Sequence, residues 1–354
     1  MSPDRAAIPL AELKVDALLI SAAPNVRYLS GFTGDNGLLL VTPGSQTLFT
    51  DPRFTIQAAE ECTCAVKTVS KTTLDQAAVQ IIRRKRFQRV GFEASRISYE
   101  VHQRIAKSVP RGITLVPVGP VVDRLRMVKS DQEIASIRRS VLTNSEAFER
   151  VARSIRPGAR ESAVAAELEY QMRKLGAEKP AFETIVAAGP RSALPHAQPT
   201  GRRVANDDLL LIDMGACQDG YMSDMTRVLF LGKPGRRMRS MYSAVLEAQL
   251  AAVDAVRPGV TAAHVDRAAR RVLAAQGLAK EFVHSTGHGL GLEIHEGPRL
   301  GRRDKTRLAP GMVITIEPGA YIRDFCGIRI EDTVLVTKTG CEILTPTSKE
   351  LRVL

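Results

Sequence analysis

Residues 204–216 are VANDDLLLIDMGA, and residues 308–320 are LAPGMVITIEPGA. In each stretch an apolar run ends in a carboxylate, Asp213 in the first and Glu317 in the second, 104 positions apart. Apolar runs of this kind, bounded by turn residues, predict buried strands. A carboxylate in such a strand is costly unless a cation compensates its charge. We therefore expect a duplicated fold that brings two such acids to one site.

The similarity between the two halves extends outward from these strands. Each copy predicts an RPG turn, a helix, a histidine segment and two strands that carry carboxylates. A repeat of about one hundred residues indicates a duplicated α+β domain with a pseudo-twofold axis, rather than a solenoid of short repeats. The other matching segments are SIRPGARESAVAAELEYQMRKLGA (154–177) with AVRPGVTAAHVDRAARRVLAAQGLA (255–279), LPHAQP (194–199) with EIHEGP (293–298), and SDMTRVLFLGKPG (223–235) with IEDTVLVTKTG (330–340).

The chain has 354 residues, more than one hydrophobic core usually supports, so we expect two domains. Residues 12–120 alternate strand-like and helix-like stretches, which predicts a small α/β domain. The segment LVPVGPVVDRLR (115–126) is typical of a connection. We place the domains at residues 1–124 and 125–354.

Three helices are predicted with defined limits. Residues 72–88 and 98–108 have amphipathic spacing. A long helix is expected over 131–155, because Ser130 followed by Glu133 forms a capping box at its start.

Composition and charge exclude several classes of protein. With 44% hydrophobic and 25% charged residues the chain is typical of globular proteins, and no apolar run approaches the length of a membrane span. The net charge is +12, but the basic residues are scattered and aromatic residues are sparse, so we predict no nucleic-acid partner. The cysteines are predicted to be free thiols of a cytoplasmic protein; they are Cys62, Cys64, Cys217, Cys326 and Cys341.

The repeat places carboxylates and histidines in related positions of the two halves. One buried carboxylate could form an isolated salt bridge, but four in symmetric positions favour a cage for hard divalent cations, and one imidazole suits Mn²⁺, Co²⁺ or Zn²⁺. The pairs are Asp213 with Glu317, Asp224 with Glu331, and His196 with His295.

His288 has no counterpart in the first repeat, where the aligned residue is Gly189. Glycines on both sides of His288 allow the backbone and a metal ion to approach closely. The four carboxylates would carry a charge of −4, which two divalent ions balance, so a dinuclear site is favoured. The five candidate ligands are Asp213, Asp224, His288, Glu317 and Glu331.

These motifs closely resemble those of the pita-bread metallopeptidases (peptidase family M24), and within them the Xaa-Pro dipeptidases (prolidases) and small aminopeptidases P. The N-terminal stretch NVRYLSGFTGDNGLLLV is similar to the smaller creatinase-type domain of this branch. The resemblance implies an α+β protein with a creatinase-like α/β domain before a pita-bread catalytic domain. The stretches that carry it are FETIVAAGPRSALPHAQP, LLLIDMGACQDGYMSDMTR, HSTGHGLGLEIHEGP, MVITIEPGAYI and GIRIEDTVLV.

The resemblance also implies a role for each ligand. Asp213 would chelate one ion, Asp224 and Glu331 would bridge both ions, and His288 and Glu317 would complete the coordination. The nucleophile would be a metal-bridging water, with Glu317 as the general base. Mn²⁺ is the expected ion, with Co²⁺, Zn²⁺ and Fe²⁺ as alternatives. A homodimer is the oligomeric state that the resemblance implies.

Four further residues match positions near the substrate in the family. His196, His284 and His295 would face the substrate, and His196 and His295 would act in catalysis by stabilising the oxyanion. Arg329 lies two residues before Glu331, so both should point to the same strand face. Arg329 would either bind the peptide carboxylate or orient a metal ligand.

The resemblance implies hydrolysis of peptides with proline at the second position. The stretches SALPHA and GHGLGLEIHE favour a dipeptidase, and the alternative is an Xaa-Pro aminopeptidase that acts on longer peptides. Two other classes remain: a non-catalytic pita-bread binding protein and a creatinase-like hydrolase that needs no metal. The intact acidic set argues against both.

Overall fold

A computed structural model describes residues 8–354. It divides into two compact units, the first ending at Arg126 and the second comprising Met127–Leu354.

The first unit is built on a mixed sheet of six strands. The strands are β1 (Ala17–Ile20), β2 (Gly37–Thr42), β3 (Ser45–Thr50), β4 (Ala65–Thr68), β5 (Arg89–Glu93) and β6 (Thr114–Val118). Their order is β4-β3-β2-β1-β5-β6, with the pairs β1–β2 and β2–β3 antiparallel and the other pairs parallel. β1 lies in the middle of the sheet and is buried along its whole length, as the apolar run ALLI predicts.

Helices cover this sheet. They are α1 (Ala23–Ser30), α2 (Thr55–Glu61), α3 (Leu74–Lys85), α4 (Tyr99–Ser108) and α5 (Val121–Met127), with a short 3-10 helix at Pro52–Phe54. The predictions of helices at 72–88 and 98–108 are confirmed by α3 and α4. Both begin at a hydroxyl cap, Thr73 for α3 and Ser98 for α4, which satisfies a backbone N–H group of the first turn.

The first half of the second unit contains two helices and an antiparallel sheet. α6 (Asp131–Ala152) begins at the predicted capping box, in which Ser130 and Glu133 each accept the other's backbone N–H. It is followed by α7 (Glu161–Lys174), β7 (Lys179–Pro180), β8 (Ile185–Ala188), a 3-10 helix at Gly189–Ala193, β9 (Leu209–Met214), β10 (Ala216–Gln218), β11 (Tyr221–Met222) and β12 (Met225–Phe230). β9 lies between β8 and β12.

The second half repeats this arrangement. Its elements are α8 (Arg236–Asp254), α9 (Ala262–Ala275), β13 (Gly287–Gly289), β14 (Glu296–Leu300), β15 (Val313–Ile316), β16 (Gly319–Ile322), β17 (Cys326–Arg329), β18 (Asp332–Val336), β19 (Cys341–Ile343) and β20 (Arg352–Val353). β15 lies between β13 and β18, as β9 lies between β8 and β12, and β20 joins the sheet of the first half beside β12. The predicted duplication is therefore visible in the strand order.

Alternation along β9 explains how an acid reaches the centre of this unit. Leu209 and Leu211 face one hydrophobic cluster, and Leu210 and Ile212 face another. Because side chains alternate in a strand, Asp213 lies on the face of Leu209 and Leu211.

None of the helices in residues 8–354 is long and apolar enough to span a membrane.

Replacing Gly287 with alanine should destabilise the second unit. A Cβ atom at this position would lie 2.0 Å from the carbonyl oxygen of Thr315, so β13 and β15 would have to separate. We expect the free energy of unfolding to fall by about 1–3 kcal/mol, measured by denaturant titration. Gly201→Ala is the control, because a Cβ there meets no atom within 4 Å. Equal stability of the two variants would contradict this account of the packing.

Candidate metal centre

The acidic residues predicted as ligands stand at strand ends or beside strands in the two central sheets. Asp213 lies in β9 and pairs with Thr226 of β12, and Asp224 directly precedes β12. In the second half, Glu317 directly follows β15 and Glu331 directly precedes β18. Asp213, Asp224 and Glu331 have relative exposures of 8% or less. The Glu317 side chain is largely buried, with an exposure of 16%.

His288 of β13 joins the acids of the two halves. Its Nε2 atom lies 3.6 Å from Asp224 Oδ2 and 3.4 Å from Glu317 Oε1. One ligand atom each from Asp224, His288 and Glu331 fall within 4.8 Å of one another. This spacing lets three side chains contact one ion.

Burial and the charges of neighbouring acids raise the pKa values of Asp224, Glu317 and Glu331. Burial, followed by the charges of Glu331, Asp213 and Glu317, raises the pKa of Asp224 well above its usual range. Burial, with Glu317 and Asp213, does the same to the pKa of Glu331. Burial raises the pKa of Glu317 to about 7, although the charge of Arg329 opposes it. One arginine is therefore insufficient to hold the cluster ionised.

Two oxygen atoms of the cluster fit a bound cation directly. Asp213 Oδ1 and Glu331 Oε1 are buried and accept no hydrogen bond from the described residues, an arrangement that costs free energy unless an ion fills it. Burial also lowers the pKa of His288, which favours the neutral imidazole that binds metals. Oxygen and imidazole donors suit divalent ions of the Mn²⁺ type, so these residues fit a metal site.

A cavity of about 560 Å³ opens above the cluster. Its volume is within the range of small-molecule sites. The fold brings all nine predicted site residues to its wall, which are Asp213, Asp224, His288, Glu317, Glu331, His196, His284, His295 and Arg329.

Comparison with known protein families agrees with this geometry. Residues 135–338 match the model of Metallopeptidase family M24, and residues 5–128 match that of the Creatinase/Prolidase N-terminal domain. The chain belongs to metallopeptidase family M24. It is therefore a metal-dependent hydrolase with a creatinase-type N-terminal domain, as the sequence motifs predict.

Individual M24 proteins are similar over nearly the whole chain. A Xaa-Pro dipeptidase of Pyrococcus horikoshii is 40% identical over 338 residues, which cover 95% of this chain and 94% of the relative. The solved structure of a Xaa-Pro dipeptidase from Bacillus anthracis has a TM-score of 0.95 at 35% identity, covering 99% of this chain and 98% of that one. An X-Pro aminopeptidase from Thermotoga maritima has a TM-score of 0.91 at 36% identity, covering 97% and 99%.

Arg329 of this M24 peptidase is held by internal hydrogen bonds. It donates to Asp213 Oδ2 at 2.5 Å and to Thr226 Oγ1 at 3.0 Å, and Thr226 in turn donates to Glu331 Oε2 at 2.7 Å. It also donates to the Tyr321 hydroxyl and the Pro195 carbonyl. Of its two predicted roles, this geometry favours the orientation of metal ligands over the binding of a peptide carboxylate.

The three predicted substrate histidines have different environments. His284 hydrogen-bonds through Nδ1 to the Ser285 carbonyl and through Nε2 to the Tyr321 hydroxyl, and burial lowers its pKa to about 4. Both its nitrogens therefore have protein partners. His196 and His295 are exposed at the cavity wall, where they are available to a substrate.

The sequence motifs assign no role to two residues at or beside the cavity, Tyr321 and Arg299. The Tyr321 hydroxyl contacts both Arg329 and His284. Side chains alternate between two faces of an extended chain, so Tyr321, four residues after Glu317, could have been assigned to the face of Glu317. Arg299 pairs with His288 across β13 and β14 and lines the cavity, a proximity that no local pattern indicates.

Two residues near Asp224 in the sequence, Tyr221 and Arg227, do not line the cavity. Tyr221 donates to Glu133 and is not among the described residues that line the cavity. Arg227 is buried behind the site and donates to the backbone carbonyls of Glu331 and Thr347.

The Asp224→Asn variant tests two properties of the cluster: the free-energy cost of repulsion among its acids and its affinity for metal. Without metal, removal of one clustered charge should raise the Tm, because the remaining acids repel one another less. Added Mn²⁺ should stabilise the unaltered protein strongly and the variant little, since stabilisation follows metal affinity. Calorimetry with and without Mn²⁺ measures both effects.

The matched control is Asp219→Asn, which changes an exposed acid in the turn before β11. It should respond to Mn²⁺ like the unaltered protein. Undiminished Mn²⁺ affinity in Asp224→Asn would contradict its assignment as a ligand.

Tyr321→Phe should lower hydrolytic activity about tenfold, because Arg329 and His284 lose their shared hydroxyl. The Tm should fall by only a few degrees, since the ring remains. Tyr242→Phe is the control: its hydroxyl donates to the Lys349 carbonyl at 2.8 Å, away from the cavity. Similar activities of the two variants would contradict a role of Tyr321 in ordering the site.

Proposed function

We propose that this M24 peptidase is a Xaa-Pro dipeptidase, which hydrolyses the bond between an N-terminal residue and a C-terminal proline. The observation that carries the proposal is a cavity with an acidic cluster at its base and Arg299 on its wall. The names of the relatives from Pyrococcus horikoshii and Bacillus anthracis support proline at the second position.

We assign the metal ligands as Asp213, Asp224, His288, Glu317 and Glu331. Four ionised carboxylates balance two divalent cations, and Mn²⁺ suits the mixture of oxygen and imidazole donors. When bound, such ions make water acidic and polarise a carbonyl group.

Glu317 is the proposed general base. The Thr315 hydroxyl donates to its Oε1 atom at 3.3 Å, which leaves Oε2 to take a proton from the attacking water and to deliver it to the proline nitrogen.

His196 and His295 are the proposed groups that stabilise charge on the scissile carbonyl oxygen. Burial lowers the pKa of His295, so its neutral imidazole can donate one hydrogen bond to the oxyanion. His284 is held by Tyr321 and Ser285, and we propose that it orders Arg329 as well as facing the substrate.

Arg299 is the proposed partner of the dipeptide carboxylate. Its side chain is exposed at the cavity wall, where Nε makes a long contact of 3.4 Å to Ser285 Oγ. The guanidinium can therefore form a bidentate pair with a carboxylate. Arg329 lacks this freedom because Asp213, Thr226, Tyr321 and Pro195 occupy its donors.

The second candidate function is that of a Xaa-Pro aminopeptidase. It is favoured by the similarity to the X-Pro aminopeptidase of Thermotoga maritima. The two functions differ in whether the substrate may continue beyond proline.

The test compares Ala-Pro, Ala-Pro-amide and Ala-Pro-Ala with Mn²⁺-loaded protein and its Arg299→Met variant. For the unaltered protein, kcat/KM should be highest with Ala-Pro. In the variant it should fall about 10–100-fold for Ala-Pro, the loss expected for a charge-assisted hydrogen-bonded pair, and little for the amide. Efficient cleavage of Ala-Pro-Ala would favour the aminopeptidase, and no metal-dependent cleavage of any peptide would reject specificity for proline.

We also propose that residues 1–124 form the accessory domain and 125–354 the catalytic domain, and that the peptidase is a cytoplasmic homodimer. The absence of a disulfide among the cysteines of the described chain supports a reducing compartment, and light scattering tests the dimer.

A further inference from the structure

Two buried carboxylates outside the cavity occupy the second helix of each repeat. Glu161 is the first residue of α7 and is 0% exposed, and Asp266 lies in α9 and is 1% exposed. Neither is among the described residues that line the cavity. A buried charge is costly even when it is paired. The contacts of each carboxylate show which segment of the chain it holds.

Glu161 holds both ends of the segment that carries His196. It accepts the Ala188 N–H at 2.8 Å at one end. At the other end it accepts the N–H and hydroxyl groups of Thr200, at 3.0 and 2.7 Å. One carboxylate therefore closes the loop 188–200 at its base.

Arg191 ties the middle of this loop to the same carboxylate. Its Nε lies 3.1 Å from Glu161 Oε2, and its Nη2 donates to the Gln198 carbonyl at 2.5 Å. The ion pair thus restrains the backbone two residues after His196.

Asp266 holds the corresponding segment of the second repeat. It accepts the N–H and hydroxyl groups of Thr286, at 3.2 and 2.9 Å, and the Nε of Arg270 at 2.8 Å. Arg270 donates to the carbonyls of Phe282 and His284. Segment 282–286, which ends two residues before His288, is therefore held by one acid and one arginine.

This support reaches Glu317, the proposed general base. The Thr286 carbonyl accepts the backbone N–H of Glu317 at 2.8 Å. A shift of Thr286 would therefore move Glu317 as well as the neighbouring His288.

The two acids make similar contacts but do not occupy aligned positions of the sequence repeat. Helices α7 and α9 each have 14 residues and begin 101 positions apart. Glu161 aligns with Ala262, and Asp266 aligns with Ala165. The acids thus occupy positions one helical turn apart on the same face of their helices. Each half therefore holds its histidine segment from a different position of its helix.

We propose that Glu161 and Asp266 are positioning residues for the peptidase reaction, Glu161 through the His196 loop and Asp266 through the segment between His284 and His288. The part concerning turnover rests on the proposed function. The part concerning metal binding and loop order is independent of the substrate.

The variants are Glu161→Gln and Asp266→Asn, in which one acceptor oxygen becomes a donor. The matched controls are Val164→Ala and Val265→Ala, which remove buried methyl groups from the same two helices 101 positions apart. The controls report what a general loss of stability does to activity.

Glu161→Gln should lower kcat/KM for Ala-Pro about 10–100-fold through misplacement of His196. It should lower Mn²⁺ affinity less than Asp266→Asn does, because its loop carries no assigned ligand and contacts Arg329 only through the Pro195 carbonyl. Asp266→Asn should lower Mn²⁺ affinity about tenfold or more, because His288 and Glu317 adjoin its segment. Amide hydrogen exchange should accelerate at Ala188 and Thr200 in the first variant and at Thr286 in the second. Each valine variant should retain metal affinity and kcat/KM within about twofold.

Kinetic and metal-binding losses equal to those of the valine variants would overturn the proposal, as would unchanged exchange at the named amides. If the unaltered protein fails to cleave Ala-Pro, the proposed function fails, while the metal affinities and exchange rates still decide the positioning roles. Should Glu161→Gln not fold, Arg191→Lys tests the same loop: it keeps the charge but loses the Gln198 contact, and unchanged kcat/KM and exchange would contradict the proposal.

Discussion

The repulsion among four carboxylates in one buried cluster is the constraint on which the rest of this structure depends. Burial and mutual repulsion raise the pKa values of Asp224, Glu317 and Glu331, so the cluster is costly until cations compensate it. A position in or beside a buried strand suits such an acid, because the strand fixes the backbone that carries it. The duplicated sheets supply these positions in both halves of the catalytic unit.

The surrounding hydrogen bonds restrict how the acids can respond to this repulsion. Arg329 links Asp213 directly, and Glu331 through Thr226, so one guanidinium orients acids from both halves. It leaves one oxygen of Asp213 and one of Glu331 without a donor. These hydrogen bonds thus hold the proposed ligands in place and leave an oxygen atom of each available to a metal ion. Hydrogen-bond partners of metal ligands typically contribute strongly to metal affinity.

Local patterns predicted much of the fold and the candidate ligands. The capping box of Ser130 and Glu133 and the strand ending at Asp213 depend on residues close in sequence, and both occur where the motifs place them. Local patterns left two roles open for Arg329 and assigned none to Arg299. Arg329 acts on Asp213, which lies 116 residues away, and Arg299 is near His288 only because β13 and β14 pair.

The sequence by itself determined the duplication, the acid and histidine set, and the family, because these are carried by residue identity and spacing. Tertiary structure decided which side chains support that set. Glu161 and Asp266 are misaligned by one helical turn in the repeat, yet each holds a histidine segment. Hydrogen bonding depends on the direction and distance of side chains across packed elements, and a linear alignment contains neither quantity.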